Sequence, residues 1–393
     1  MISFSKKKKT FCVVTGSRAD FGVIHNMLIK LNLDKKINLK IIVTGSHLLK
    51  SYGMTKSEII ENNLKIYKKI KINSKNNVPH DISKSSSLIL NKLSKIFSTL
   101  NPDLLIVLGD RYEMLVSSYV ATLHKIPIAH IGGGEQTEGS YDNQFRHSIS
   151  KMSSVHFVSH KIYKKRLISM GELPKNVFNF GSLALDNIKN IDLISKKSLE
   201  KKFSIKFRKI NFLVTFHPLT LDKKQTKKQF LALLKAISIF KDYNFIFTAA
   251  NADHEGYIIN NMIKKFMRNK KNIFYVKSFG QKNYFSVLKY ISGIIGNSSS
   301  GIIEVPSFKV GTINIGDRQM GRIKSKSVVN CKPNVKNISN SIKRVLSKKF
   351  QKSIRYNKNP FEKKNTIKNI KKVLKNFNLK NIKKSFHETS FSS

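Results

Sequence analysis

The stretch LLIVLGDR, residues 104–111, places five consecutive apolar residues directly before a glycine and two charged side chains. A strand that is apolar at every position is typical of a parallel sheet covered by helices, because neither of its faces meets water. The residues that follow, 112–124, have the spacing of a helix. One strand followed by one helix is the repeating unit of a βαβ fold, and this unit recurs along the chain.

Similar apolar runs alternate with longer helical patterns on both sides of this stretch. In the first half, strands are predicted at residues 11–15, 39–43, 104–108, 126–130 and 155–159, and helices at 20–33, 83–100, 112–124 and 142–152. The alternation restarts with strands predicted at 212–216, 244–248, 273–276, 293–295 and 312–315, and helices at 223–240, 255–269, 281–290 and 300–307. The two series predict an α/β protein with two Rossmann-like, doubly wound domains that face a cleft.

The predicted domain boundaries follow changes in composition. We expect residues 1–186 to form the N-terminal domain and residues 210–345 the C-terminal one, joined by a polar, lysine-rich linker at 187–209. Residues 346–393 are expected to form a basic helical tail. Amphipathic helices are predicted at 337–346 and 366–377. A length of 393 residues accommodates two domains of ordinary size.

The formal net charge of +50 at pH 7 is the most unusual feature of the composition. Clustered cations suit a polyanion, but here the lysines are spread along the whole chain, and no zinc-finger or RNA-recognition spacing is present. We therefore expect an anionic small molecule, and not a nucleic acid, as the primary partner. Two cysteines, Cys12 and Cys331, exclude a disulfide framework. Because no apolar run reaches membrane-spanning length, we expect a cytoplasmic protein without a membrane partner.

Ligands of doubly wound sheets bind beyond the carboxyl ends of the strands, and chemically informative residues follow several of the predicted strands. The first strand runs into Gly16, which allows a tight turn, and Arg18, whose guanidinium suits a phosphate. The alternative is an ordinary turn with Asp20 as the helix N-cap. Asp110 and Arg111 follow the strand at 104–108 and suit acid–base work and anion binding. Alternatively, Asp110 only caps the next helix and pairs with Arg111.

A glycine-rich, acidic segment follows the next predicted strand. Residues 130–142, HIGGGEQTEGSYD, bring Glu135, Glu138 and Asp142 near one edge of the sheet. Three acids in so short a segment are a high concentration for a chain that has only 23 acidic residues in total. Arg146 lies one helical turn after Asp142, so its side chain is able to point back at it. The alternative is a flexible surface loop with solvated acids.

The second half carries a comparable series of polar residues after its strands. His217 follows the first strand of this half, Asn251 the second, and Arg318 the last. Residues 296–301, GNSSSG, combine small residues with hydroxyl donors at a helix start, which suits a phosphate, and Glu304 is one turn further on. The alternatives are a structural histidine and a polar helix cap. No Cys/His spacing indicates a metal, and no P-loop is present.

Seven of these segments together resemble the hydrolysing UDP-N-acetylglucosamine 2-epimerases, specifically the branch that serves sialic and legionaminic acid synthesis. The resemblance covers roughly residues 10–322, and the order and spacing of the segments make it specific. The segments are GSRAD at 16–20, GDR at 109–111, HIGGGE at 130–135, RHSISK at 146–151, FHP at 216–218, GNSSSG at 296–301 and RQMGR at 318–322.

This resemblance implies a GT-B-like fold in which the C-terminal domain holds most of the UDP. It implies nucleotide contacts by position at Arg18, Arg111, His217, Asn251, Ser298, Ser299, Glu304 and Arg318. It implies catalytic carboxylates at Asp110 and Asp142, and we add His217 to the catalytic candidates. Many family members carry a glutamate at the position of Gly132, so we expect Glu135 or Glu138 to take over its task.

The implied reaction eliminates UDP across C1 and C2 of the sugar and then adds water, so UDP-GlcNAc would give ManNAc and UDP. It needs no cofactor. UDP-N,N′-diacetylbacillosamine is the alternative substrate, and we expect a homo-oligomer, either a dimer or a tetramer. Two other functions stay open: a GT-B glycosyltransferase that passes the sugar to an acceptor, and a non-catalytic, basic nucleic-acid-binding protein.

Overall fold

The computed structural model describes residues 8–50, 53–72, 78–138, 141–188, 191–218, 223–250, 256–378 and 383–388. The chain divides into two compact units. Unit 1 comprises Met1–Glu135, Asp142–Asn187 and Lys363–Ser393, and unit 2 comprises Gln136–Tyr141 and Ile188–Glu362.

Each unit is built on one parallel sheet, as the alternating pattern predicts. In the described residues of unit 1, the strands are β1 (Lys9–Thr15), β2 (Ile37–Val43), β3 (Ile66–Lys69), β4 (Leu104–Leu108), β5 (Ile128–Ile131), β6 (Val155–Val158) and β7 (Val177–Asn179). In those of unit 2, they are β8 (Asn211–Thr215), β9 (Asn244–Thr248), β10 (Ile273–Val276), β11 (Gly293–Gly296), β12 (Gly311–Ile315) and β13 (Val328–Cys331). The strand orders are β3-β2-β1-β4-β5-β6-β7 and β10-β9-β8-β11-β12-β13, which confirms two doubly wound sheets.

Helices connect the strands. They are α1 (Arg18–Asn32), α2 (Lys56–Glu61), α3 (Pro79–Leu100), α4 (Tyr112–Leu123), α5 (Asp142–Met152), α6 (Lys161–Ser169), α7 (Leu183–Ile188), α8 (Lys196–Phe203), α9 (Lys223–Ser238), α10 (Gly256–Met267), α11 (Gly280–Leu288), α12 (Ser300–Ile303), α13 (Val335–Leu346), α14 (Lys348–Arg355) and α15 (Thr366–Asn376). Short 3₁₀ turns lie at Gly45–Leu48, Pro174–Asn176 and Val305–Phe308. No helix in the described part of the chain is both long and apolar enough to cross a bilayer.

Both faces of each sheet are covered, which explains the continuous apolar runs. In β1, Phe11 and Val13 pack with α1 and α15 on one face, whereas Cys12 and Val14 pack with α3 and α4 on the other. The second sheet repeats this arrangement: most of its inward residues pack with α9 and α13, and Leu213 on the opposite face packs with α8 and α11. All five residues are buried.

Three strands that the sequence did not predict lie at edges of the sheets. They are β3, β7 and β13, each of which pairs with a single neighbour. The last two residues of β3 are exposed lysines. An edge strand needs fewer apolar residues because one side of it has no neighbouring strand, so the pattern used for the central strands is absent here.

The residues expected to form a linker and a tail are instead parts of the two compact units. Within residues 187–209, the structure forms α8, and Leu199, Ile205 and Phe207 are buried in the core of unit 2. The expected tail, residues 346–393, is divided, because α14 belongs to unit 2 and α15 to unit 1. Apolar residues at helical spacing among the lysines explain both differences.

The helix α15 is an integral part of unit 1. Ile370 and Leu374 are at most 1% exposed and pack with α1, and Lys371 and Lys375 contact the Asp34 carboxylate at 2.9 Å and 2.8 Å. These ammonium groups hold the pKa of Asp34 below its usual range, through hydrogen bonding to Lys375 above all.

We predict that Leu374→Ala lowers the free energy of unfolding by about 2–5 kcal/mol, because it opens a cavity in the core of unit 1. Lys368→Ala on the exposed face of the same helix is the matched control, expected to stay within about 0.5 kcal/mol of the unchanged protein. Urea denaturation measures both. Equal midpoints for the two variants would show that α15 does not contribute to the core.

Candidate active site

The candidate residues cluster at the two points where the strand order reverses. Each sheet has one such reversal, which lies between β1 and β4 in the first sheet and between β8 and β11 in the second. Ligands of doubly wound folds bind beyond the carboxyl ends of the strands at such points. The segments that follow these four strands are residues 16–20, 109–113, 216–218 and 296–301, and they contain most of the predicted site.

In unit 1, a buried arginine holds the candidate catalytic aspartate. Arg146 is 1% exposed, and its guanidinium forms an ion pair with the Asp110 carboxylate. The same guanidinium donates to the Glu135 carbonyl oxygen and to Asn143 Oδ1, each at 3.1 Å. Arg146 therefore joins the loop after β4, the loop after β5 and the helix α5. Asp142, towards which the sequence predicts that Arg146 turns, is the first residue of α5.

The HIGGGE segment is fixed by a neutral histidine. His130 is fully buried, and burial lowers its pKa to about 3. Its Nε2–H donates to the Gly109 carbonyl at 2.8 Å, so Nδ1, which lies 3.0 Å from Ser150 Oγ, is the acceptor nitrogen. A Cβ on Gly134 would lie 2.5 Å from the carbonyl oxygen of Tyr163, at a φ of +72°, so this position requires glycine.

The position where many relatives carry a glutamate has room for a side chain. A Cβ on Gly132 would approach no described atom closer than the Gly109 nitrogen, at 3.9 Å, but its φ of +86° favours glycine. Of the two acids expected to replace that glutamate, Glu135 accepts a hydrogen bond from Ser159 Oγ at 3.4 Å and lies in unit 1. Glu138 lies in unit 2, where its backbone N–H donates to the Met320 carbonyl.

Arg111 is oriented by an acid that sequence analysis did not single out. Its Nε and Nη2 donate to the two carboxylate oxygens of Glu113 at 3.1 Å and 3.2 Å. Asp110, the partner of Arg111 in the alternative interpretation, forms its ion pair with Arg146. The Glu113 side chain is 1% exposed and packs against Gly16, where a Cβ would lie 3.3 Å from the carboxyl group. The sequence feature that could have predicted this pair is the two-residue spacing of Arg111 and Glu113 at the start of a helix.

Arg18 is exposed at the first turn of α1. The N-cap of this helix is Ser17, not Asp20: Ser17 Oγ accepts from the Asp20 N–H at 3.2 Å and donates to the Asp20 carboxylate at 2.8 Å. Burial raises the pKa of Asp20 to about 6, against the lowering effect of the Arg111 charge.

In unit 2, Asn297 connects three segments of the candidate nucleotide site. Its amide side chain accepts from the His217 N–H at 2.7 Å and donates to the His217 carbonyl at 2.9 Å. Its own carbonyl oxygen accepts from Arg318 at 3.1 Å and from Gln319 at 3.0 Å. Burial, with the Arg318 charge, lowers the pKa of His217 well below its usual value, so the imidazole is neutral at pH 7. The sequence places Asn297 within GNSSSG but does not reveal this role, because its partners lie far away in the chain.

The small residues of GNSSSG are needed for close approach. A Cβ on Gly296 would lie 1.8 Å from the Thr215 carbonyl oxygen, at a φ of +143°. Ser298 and Ser299 follow, both half-buried, and Ser300 Oγ lies 2.7 Å from Tyr284 Oη. Glu304 directly follows the short α12. Burial above all, and the Glu304 charge in addition, raise the pKa of Tyr284.

Within each unit, the structure therefore brings most of the predicted residues together. In unit 1, Asp110 and Glu135 both contact Arg146, and Asp142 begins the helix that carries it. In unit 2, His217 and Arg318 both contact Asn297. Asn251 lies outside the described residues.

We predict that Asn297→Asp lowers the free energy of unfolding by about 1–3 kcal/mol, because a carboxylate oxygen would replace the amide N–H that faces the His217 carbonyl. Asn330→Asp is the matched control in the same unit. Asn330 is exposed and serves as an acceptor for Asn314, a role that a carboxylate keeps. Urea denaturation compares the two, and equal losses would contradict the central role of the Asn297 amide.

Comparison with known proteins agrees with this geometry. The family model described as UDP-N-acetylglucosamine 2-epimerase matches residues 29–375. The chain is 44% identical to the GDP/UDP-N,N′-diacetylbacillosamine 2-epimerase (hydrolyzing) of Campylobacter jejuni, over 88% of this chain and 89% of that one. It is 40% identical to polysialic acid biosynthesis protein P7 of Escherichia coli, over 94% of each chain.

Solved structures share the fold. The S. aureus MnaA-UDP co-structure superposes with a TM-score of 0.79 at 17% identity, over 93% of this chain and 96% of that one. At this identity, the likeness concerns the fold, which is the two-sheet α/β architecture expected from the sequence. The family match and the two relatives above extend over most of the chain, and they show that it belongs to the UDP-N-acetylglucosamine 2-epimerase family of enzymes.

Proposed function

We propose that this chain is a hydrolysing 2-epimerase, which releases UDP from a UDP-linked 2-acetamido sugar and forms the free 2-epimer. The observation that carries the proposal is the carboxylate of Asp110, which a buried guanidinium holds at the strand-order reversal of unit 1. A chain built only to bind a nucleotide has no need of a buried arginine that orients an acid. An enzyme that removes a proton from carbon does need such an acid.

We assign the nucleotide chiefly to unit 2. Arg318, which donates to the carbonyl oxygen of Asn297, supplies a permanent positive charge. Ser298 and Ser299 directly follow Asn297 and supply hydroxyl donors, a combination that suits a diphosphate. Glu304 is proposed to accept the ribose hydroxyls. His217 is neutral, so its proposed part is hydrogen bonding, not charge neutralisation. From unit 1, we propose Arg18 and Arg111 as further cations for the diphosphate.

The proposed reaction is an elimination followed by a hydration. A carboxylate takes the proton from C2, and the C2–H electron pair forms a C1=C2 double bond. The C1–O bond breaks at the same time, and UDP leaves with the electron pair of that C1–O bond. Water then adds its hydroxyl to C1, and a proton returns to C2 from the opposite face. We propose Asp110 and Asp142 as the catalytic carboxylates, with Glu135 in place of the glutamate that is absent at Gly132. Fixed charges around the leaving diphosphate stabilise the transition state.

Two sugars fit this proposal, and they differ at C4 and C6. With UDP-GlcNAc, the product is ManNAc, the starting point of sialic-acid-type sugars. The second candidate is UDP-N,N′-diacetylbacillosamine, and it is supported by the 44% identity to an enzyme of that name. The proposal includes a cytoplasmic location, where the buried free thiols Cys12 and Cys331 stay reduced, and assembly as a dimer or tetramer.

Product analysis with each of the two UDP sugars tests the proposal. Release of UDP together with the free 2-epimer, in equal amounts and without an acceptor, is the expected result. UDP release that depends on an added acceptor would instead identify a glycosyltransferase. The sugar with the higher kcat/KM is the better candidate for the natural substrate.

We predict that Asp110→Asn lowers kcat by at least about 100-fold, because an amide cannot take up the C2 proton, with little change in the dissociation constant of UDP. Asp103→Asn is the matched control. Asp103 lies just before β4, at the opposite end of the same strand, and accepts the Thr10 N–H at 2.6 Å. Steady-state kinetics and calorimetry with UDP give the two readouts. Normal turnover in Asp110→Asn would remove this residue from the mechanism.

A further inference from the structure

The C-terminal strap, which we define as residues 383–388, packs against other segments of unit 1. The ring of Phe386 lies over Gly171, where a Cβ would come within 2.2 Å of a ring carbon. The His387 N–H donates to the Gly171 carbonyl at 2.9 Å, and the Lys151 ammonium lies 4.8 Å from the centre of the Phe386 ring. A side chain at position 171 would clash with the Phe386 ring, so this close contact of the strap depends on glycine at that position.

Lys384 of this strap caps the carboxyl end of α5. Its Nζ lies 3.1 Å from the carbonyl oxygen of Ser150, 2.6 Å from that of Lys151 and 2.8 Å from that of Ser153. Carbonyls in the last turn of a helix have no partner within the helix, and a cation there also interacts favourably with the helix dipole. A segment more than two hundred residues away in the chain thus supplies the C-terminal cap of α5.

A buried carboxylate holds Lys384 in place from the other side. Glu172, whose side chain is 2% exposed, contacts Lys384 Nζ at 2.7 Å, Lys151 Nζ at 3.0 Å and His156 Nε2 at 2.9 Å. Burial alone would raise the pKa of Glu172, but the hydrogen bond from His156 and the Lys384 ammonium lower it to about 2. The carboxylate is therefore ionised at neutral pH, and it fixes the ammonium against the helix end.

The other parts of α5 reach the candidate catalytic aspartate by two routes. Arg146, one turn before Ser150, forms the ion pair with Asp110. Ser150 Oγ contacts His130, and His130 donates to the carbonyl oxygen of Gly109, the residue that precedes Asp110. A shift of α5 along its axis would therefore move both the side-chain partner and the backbone support of Asp110.

We propose that Lys384 is a positioning residue for the reaction: by capping α5, the C-terminal strap holds Arg146, and through it Asp110, in the geometry that proton removal needs. This inference rests on the proposed 2-epimerase function. It goes beyond that function because it gives a role in turnover to a segment that carries no candidate catalytic or nucleotide-binding residue. Displacing a catalytic group by about 1 Å is enough to lower a rate by about 100-fold.

The test compares Lys384→Met, Lys384→Arg and Phe386→Ala with the unchanged chain. Methionine keeps the length and the apolar stem but loses the charge and the donors, and arginine keeps both. Lys383→Met is the matched control, since it removes the same charge from the exposed neighbouring residue. Each variant is measured for kcat, KM, the dissociation constant of UDP, melting temperature and amide hydrogen exchange of residues 142–152.

We expect Lys384→Met to lower kcat at least about ten-fold, with KM and the UDP dissociation constant changed less than about two-fold, because a displaced α5 affects the acid and not the nucleotide contacts of unit 2. Lys384→Arg should recover most of the lost kcat, Phe386→Ala should lower it in part, and Lys383→Met should leave it unchanged. Amide hydrogen exchange in α5 should be faster than in the unchanged chain for Lys384→Met but not for Lys383→Met.

Three results would overturn the proposal: equal kcat in the two methionine variants, no recovery with arginine, or a lower melting temperature with unchanged kcat. Should the unchanged chain turn over neither UDP sugar, the proposed function fails separately. Hydrogen exchange then decides the role of the strap alone. Faster exchange in Lys384→Met than in Lys383→Met supports the attachment of α5, and equal rates contradict it.

Discussion

The buried guanidinium of Arg146 is the constraint on which the rest of the candidate site depends. A charged group that is 1% exposed is strongly destabilising unless ion pairs and hydrogen bonds compensate for the lost water. Its partners include the carboxylate of Asp110, the backbone of Glu135 and the side chain of Asn143, which belong to three different segments. Satisfying one arginine therefore fixes the loops after β4 and β5 relative to the helix α5. Asp110, the acid proposed to act on the sugar, is thus positioned because the buried guanidinium of Arg146 needs an ion-pair partner.

Unit 2 reaches a comparable order with a neutral group. Asn297 pairs with both backbone polar atoms of His217, much as a neighbouring strand would, and its carbonyl oxygen holds Arg318 and Gln319. An amide can do this without the desolvation cost of a charge. The guanidinium of Arg318 donates to this backbone oxygen, which carries no formal charge. The two units thus suit different tasks, one orienting an acid and the other receiving an anion.

The sequence was most informative where both faces of a strand are buried. The central strands β4 and β9 have the bounds that their apolar runs predict, whereas the edge strands β3, β7 and β13 have no such run and were missed. The residues after the strands were found because the fold concentrates ligands there. Partners distant in the chain were not found. Nothing in residues 109–113 reveals that Asp110 pairs with Arg146, because this pairing depends on how α5 packs. The contacts of Lys384 are equally long-range.

In the proposed elimination, C2 of the sugar loses its proton during turnover and regains one from water. The decisive measurement is the reaction in D₂O, with the product examined by proton NMR after its hydroxyl groups are exchanged back. We expect a free 2-epimer with one deuterium at C2 and no H2 signal. A product that keeps its original hydrogen at C2 would show simple hydrolysis of the sugar–phosphate bond, and it would contradict the elimination mechanism and the role given to Asp110.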